Sequence, residues 1–213
     1  MVYRVKRILI PVVLALIAGV TFMVNSAQSR PTSLGLSLSA HPLAPSAKKL
    51  WINGSVEISE TFGDRSQGGG IPYKNSFNDR LEFEVVWHDI ISGQAYRADF
   101  ALSASEMPTF GGKGKHTVLN VKLGPGADFT VTTSSRELLL YLGLKQDDKI
   151  TAAMRAPVIL LEGCGTPITL TDERLVSMVA GMSEADGVYS MAMEDRESAI
   201  SAGITVTSRC KVN

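Results

Sequence analysis

From residue 81 to residue 133 apolar and polar side chains alternate almost one for one, a period that lets a chain bury one face of a β-sheet and little else. In 81–88, Leu81, Phe83, Val85 and Trp87 fall on one face, with Glu82, Glu84, Val86 and His88 on the other. Ser92-Gly93 marks a reversal, after which Tyr96, Ala98, Phe100 and Leu102 alternate with Arg97, Asp99 and Ala101. The two runs predict a hairpin. A second hairpin follows. Leu119, Val121 and Leu123 alternate with Val118, Asn120 and Lys122, and Phe129, Val131 and Thr133 alternate with Asp128, Thr130 and Thr132. Gly124-Pro125-Gly126 lies between them. Proline fixes φ and glycine admits positive φ, so this tripeptide turns the chain back.

The flanking regions carry weaker signals. Residues 50–58 predict a strand interrupted by Asn53-Gly54. The apolar run 138–144 fits strand or helix, and 158–161, bounded by Pro157 and Gly163, predicts a buried strand. Residues 171–184 predict a helix, with Thr171 as N-cap and Asp172 and Glu173 at the positive end of its dipole. Leu175, Val176, Met178, Val179 and Met182 form its apolar face. Residues 204–206 predict a closing strand just before Cys210, and no internal repeat is present. The expected fold is mainly β (α+β): an antiparallel sheet or sandwich with one or two packed helices, preceded by an N-terminal hydrophobic helix.

That N-terminal helix has the pattern of an export signal. Arg4, Lys6 and Arg7 precede 8–24, which is apolar and uncharged, and a small polar stretch follows at 25–29. Basic residues stay on the cytoplasmic side while an apolar run enters the membrane. At ~1.5 Å per residue the run is roughly 26 Å long, just short of a hydrocarbon core, so cleavage and retention as an anchor are both open. Ala27-Gln28-Ser29 fits small-x-small cleavage, and Val24-Asn25-Ser26 is a second option. No cysteine follows the run, so lipidation is excluded. The expected organisation is a signal peptide or signal anchor over 1–29, a Pro/Ser-rich linker over 30–49 and one β-rich globular domain over 50–213. The expected location is periplasmic or secreted, with inner-membrane anchoring if the segment is kept.

Charge is unevenly spread. Six of the 21 basic residues precede residue 50 and none of the 21 acidic ones does, so the body carries a net charge of −6. An acidic body argues against nucleic acid, which needs a basic face. Membrane contact is expected only through the N-terminal segment. Cys164 and Cys210 are the only cysteines. In an oxidising compartment they predict a bridge, and closing a loop of this length is worth roughly 4 kcal/mol in the chain-entropy account. The alternative is a pair of free thiols or a nucleophilic cysteine, but no histidine follows His116 to act as its base.

No motif for catalysis, cofactor or metal emerges. His41, His88 and His116 lack metal-ligand spacing. His88-Asp89 is the one histidine–acid neighbour pair, but adjacency in sequence provides neither a nucleophile nor an orienting carboxylate. Gly111-Gly112-Lys113-Gly114-Lys115 approaches a phosphate loop and fails it: Thr109 replaces the first glycine and His116 the final hydroxyl. Gly68-Gly69-Gly70-Ile71-Pro72 predicts another mobile loop, of a kind that can carry partner contacts. The candidate partner-binding residues are therefore Tyr73 and Phe110 as loop anchors, with Glu184, Asp186, Glu194 and Asp195 as the densest acidic stretch.

The block 72–133 resembles an uncharacterised family of bacterial envelope proteins, usually lipoproteins. It has a proline (Pro72) before a strand ending in tryptophan (Trp87), then Tyr96 and Phe100 in a Tyr-x₃-Phe strand. An apolar strand over 119–123 then ends at the Gly-Pro-Gly turn and leads into 129–131. The missing lipobox cysteine is a departure. Some members are similar to proteins encoded beside type VI secretion lipase effectors, which implies immunity to a periplasmic toxin. The resemblance supplies no catalytic residues. The leading expectation is thus an exported, non-catalytic binding or inhibitory protein with a protein partner. The competitors are an anchored accessory subunit of an envelope machine and an exported hydrolase using His88.

Overall fold

The computed structural model describes residues 33–61, 69–72, 80–103, 107–109, 116–135, 151–171, 176, 179, 187–205 and 207–210. Ten strands and two helices lie within them. They are β1 (Ser33–Ala40), β2 (Ser46–Ile52), β3 (Ser55–Thr61), β4 (Gly69–Pro72), β5 (Arg80–Asp89), β6 (Gln94–Ser103), β7 (His116–Leu123), β8 (Asp128–Thr133), α1 (Ala152–Arg155), β9 (Val158–Cys164), β10 (Thr166–Ile168) and α2 (Gly187–Ser201). The fold is mainly β, as the alternation predicts. One sheet has the order β4-β1-β7-β8-β9 and the other β10-β6-β5-β2-β3. Among the described residues no helix is long and apolar enough to cross a membrane. The expected hydrophobic helix over 1–29 lies outside the described residues.

Both predicted hairpins form with the expected faces inward. Leu81, Phe83, Val85 and Trp87 of β5 are buried, as are Leu119, Val121 and Leu123 of β7. The two sheets share one apolar core, to which β1 adds Leu34, Leu36 and Leu38, and β8 adds Phe129 and Val131. Phe83 stacks on Phe100 at 4.9 Å between centroids, and Phe100 on Phe129 at 5.5 Å, which links the two layers through aromatic rings. Asn53-Gly54 is the β2–β3 turn. Both residues have positive φ (49° and 78°), the conformation that makes Asn-Gly a preferred hairpin turn.

Several expectations need correction. Residues 33–49, expected to belong to a linker over 30–49, are part of the fold: 33–40 and 46–49 lie in β1 and β2, interior strands of their sheets, while 30–32 lie outside the described residues. Leu34, Leu36 and Leu38 alternate with Gly35, Ser37 and Ser39, so the serines that suggested solvent occupy the opposite face of a strand. β2 is buried on both faces. Lys48 and Leu50 point with Trp87 into the main core. Ala47 joins Val86 in a second cluster beneath Trp51, Ile168, Leu170 and Val179. Lys49 is buried with its ammonium 4.5 Å from the Trp51 ring centroid, so its charge meets an aromatic face. The sheets are also not wholly antiparallel, because β1 runs parallel to β7 over Ser33–Ala40.

Residues 158–161 do form a strand, the outermost described one of its sheet, but only half of it is buried: Val158 and Ile159 are 42% and 57% accessible, while Leu160 and Leu161 pack partly buried against the core. Residues 204 and 205 lie in no strand. The segment 207–210 is held by side chains instead. Cys210 is bonded to Cys164 across a separation of 46 residues. The buried Asp128 carboxylate accepts hydrogen bonds from Ser208 Oγ (3.0 Å), Arg209 N (2.9 Å) and Cys210 N (2.9 Å). Within the expected helix over 171–184, Val176 and Val179 are helical and the other residues past Thr171 lie outside the described set. α2 was not anticipated from the sequence.

The disulfide rests on the core through two glycines. A Cβ at Gly165 would stand 2.3 Å from Trp87 Cη2, and one at Gly163 would stand 2.6 Å from the Phe129 ring. Both rings therefore close on bare backbone on either side of Cys164. Trp87 Nε1 donates to Gly126 O (3.0 Å), so the buried indole N–H is satisfied.

Candidate interaction surface

The outward face of β5 and β6 is charged because the alternation that buries the aromatic residues leaves the intervening ones outside. The turn fixes which charges meet. Asp89 Oδ1 accepts from Ile91 N (2.9 Å) and Ser92 N (3.4 Å), and Gly93 turns with φ 69°. The resulting register sets Glu84 opposite Asp99 and Glu82 opposite Ala101. Like charges directly opposite are destabilising. Arg97 relieves this pair: its Nε lies 3.4 Å from Glu84 Oε1, and its guanidinium makes two 3.0 Å hydrogen bonds with Asp99. The Asp99 hydrogen bond raises the Arg97 pKa further above its ordinary value, against a smaller opposing effect of burial.

The small residues Gly54 and Ala101 leave room between these charges. A groove of ≈ 340 Å³ opens there, lined by the charged Arg80, Glu82, Glu84 and Asp99 together with Gly54, Ala101, Phe83 and Phe100. Asn53 ties its wall together: Glu82 N donates to Asn53 Oδ1 (3.0 Å), and Asn53 N donates to Glu82 O (2.8 Å). Arg80 and Glu82 stand 4.0 Å apart, each more than 70% accessible, so water screens the pair and leaves both able to meet an incoming charge.

His88 lies on the same outward face, across from Ala47 and Ala95. Its Nδ1 is buried with no hydrogen-bond partner among the described residues. Burial lowers its pKa, and the nearby Asp89 charge opposes this only in part. The Asp89 carboxylate is turned to the loop amides, so the His88-Asp89 pair is not an oriented catalytic dyad. His41 sits in the β1–β2 connection, where its Nδ1 accepts from Leu43 N (3.2 Å), and His116 is exposed at the start of β7. Asp128, Cys164 and Cys210 bring potential ligand atoms within 4.8 Å of one another. Those sulfurs are bonded to each other, and Asp128 already accepts three hydrogen bonds, so the donors are engaged structurally.

Of the residues expected to bind a partner, Tyr73, Phe110, Glu184 and Asp186 lie outside the described residues. Glu194 and Asp195 are exposed on α2 and do not line the groove. The groove residues were missed as a site, although the signal was available: the polar alternates of one hairpin share a face, and its turn sets their register. No protein-family model matches the chain, and neither curated proteins nor solved structures yield a match.

Proposed function

We propose that this chain is an exported binding domain that holds a protein partner without carrying out chemistry, in the manner of an immunity protein. The groove carries the reading: it is a charged, solvent-open concavity on a hairpin whose other face is locked into the core. Three carboxylates (Glu82, Glu84, Asp99) against one guanidinium (Arg80) in its lining suit a partner that presents a basic side chain. The Cys164–Cys210 bond is compatible with an oxidising, extracellular compartment, in line with the export pattern of 1–29. The resemblance to envelope proteins encoded beside lipase effectors points to a secreted effector as the partner.

Capture from periplasmic extract with the full chain tests this. The wild type should retain one secreted effector. Glu82→Lys should weaken retention roughly tenfold or more by reversing a charge at the contact, while leaving thermal unfolding within a few degrees. A wild-type chain that retains no effector removes the reading. Equal retention by both chains moves the contact away from the groove but keeps the binding role.

A further inference from the structure

The segment 207–210 is held to the body twice, once by a covalent bond and once by hydrogen bonds, and both attachments start from one place. β8 and β9 pair with Asp128 opposite Cys164, so the two side chains stand on one face of the ladder. A carboxylate oxygen of Asp128 and the sulfurs of Cys164 and Cys210 all lie within 4.8 Å of one another. Asp128 accepts from Ser208 Oγ, Arg209 N and Cys210 N, and Arg209 reaches Thr130 Oγ1 (3.1 Å) and the Glu162 carboxylate. None of these contacts needs a sulfur. The two cysteines differ in access. Cys164 is exposed, whereas Cys210 is 7% accessible and belongs to the main core.

We infer that Cys164 is the thiol-exchange site of this chain: an incoming disulfide reacts at Cys164, and Cys210, docked by Asp128, is the resolving thiol that closes the bridge. Exchange requires a sulfur that the reagent can reach, and of the two cysteines Cys164 is the exposed one. In the reduced chain the Cys164 thiolate attacks the oxidant R–S–S–R, a Cys164–S–S–R bond forms and R–S⁻ leaves. Cys210 then loses its proton to water, its thiolate attacks the Cys164 sulfur, and the second R–S⁻ leaves. Two electrons pass from the protein thiols to the oxidant, and the two protons they give up balance the two R–S⁻ released. Asp128 makes the second step intramolecular. It holds the backbone of Arg209 and Cys210 before any S–S bond exists, so the resolving thiol waits beside Cys164 at a high effective concentration. Asp128 is therefore a positioning residue, and it does no chemistry on sulfur. None of this depends on the groove or on its partner.

Limited alkylation of the reduced full chain tests the order of reaction. After a short pulse of iodoacetamide in native buffer, peptide mapping should find Cys164 labelled about tenfold or more above Cys210, and the two labelled alike in denaturant. Asp128→Ala should raise Cys210 labelling about tenfold or more while leaving Cys164 labelling unchanged, because the tail then undocks from an intact body. A contribution of Asp128 to overall stability alone would not single out Cys210. Far-ultraviolet circular dichroism separates an undocked tail from an unfolded chain, and the wild-type comparison decides without any variant. Three results overturn the inference. They are equal labelling of both cysteines in the reduced wild type under native conditions, faster labelling of Cys210, and a folded Asp128→Ala chain whose Cys210 stays as protected as in the wild type.

Discussion

The hairpin β5–β6 has two faces that solve opposite problems. Its inner face carries Phe83, Trp87, Tyr96 and Phe100, and Trp87 closes on the bare backbone of Gly165 beside Cys164. Its outer face carries Arg80, Glu82, Glu84, His88, Arg97 and Asp99. Inside, specificity comes from shape: Trp87 has no accessible surface and touches backbone where any Cβ would collide. Outside, it comes from charge, with Arg97 reconciling two carboxylates that the register forces together. One ladder of backbone hydrogen bonds serves both faces, so rigidity imposed by the core is transmitted to the groove without any groove residue having to supply it.

The sharpest test of this contrast is to release the pressure on the inner face. Cys210→Ser should destabilise the fold by about 2–5 kcal/mol, since it frees the loop closed by the disulfide. Chemical denaturation of the oxidised wild type and the variant measures the loss. Gly165→Ala should cost less, about 1–3 kcal/mol, because its Cβ forces the Trp87 ring to move. Loss of near-ultraviolet circular dichroism from tryptophan should accompany it. If Gly165→Ala leaves stability and the tryptophan signal unchanged, the inner face is not as tightly packed as its geometry implies.

The smallest effect is expected on the outer face. His88 is held neutral by burial, so its pKa lies below the ordinary 6.5 in the folded chain. The unfolded chain therefore takes up the proton first as pH falls. The contribution of His88 to stability is fully present above about pH 6.5 and declines as pH drops towards its folded pKa. His88→Gln should flatten that part of the stability–pH profile, measured as melting temperature between neutral and mildly acidic pH. A wild-type profile that His88→Gln leaves unchanged would show that the unpartnered Nδ1 carries no penalty.

Legibility in the sequence followed the clarity of period two. The runs 81–88, 96–102, 119–123 and 129–133 were readable because each puts large apolar residues on one face only. β1 has the same period, yet its alternates are serine and glycine, and its composition suggested a linker. β2 hid for another reason. A strand buried on both faces loses its alternation, and its first four residues were assigned to the linker although both of their lysines are buried and one ammonium lies over Trp51. The groove was half legible: its charges were visible as alternates, but the space between them depends on Gly54 and Ala101, which reach it from the β2–β3 turn and from β6.

The cysteine pairing was determined by the sequence itself, since two cysteines allow one internal bond. So was the hairpin character of 81–133, because periodicity is a local property and a turn sets register over only a few residues. What the tertiary structure decided is long-range. It paired β1 with β7 in parallel, made β9 the outermost described strand of its sheet, and bound the tail through Asp128. Each of these depends on which surfaces remain uncovered once the local elements have formed, and contacts between distant residues leave no period in the sequence to read.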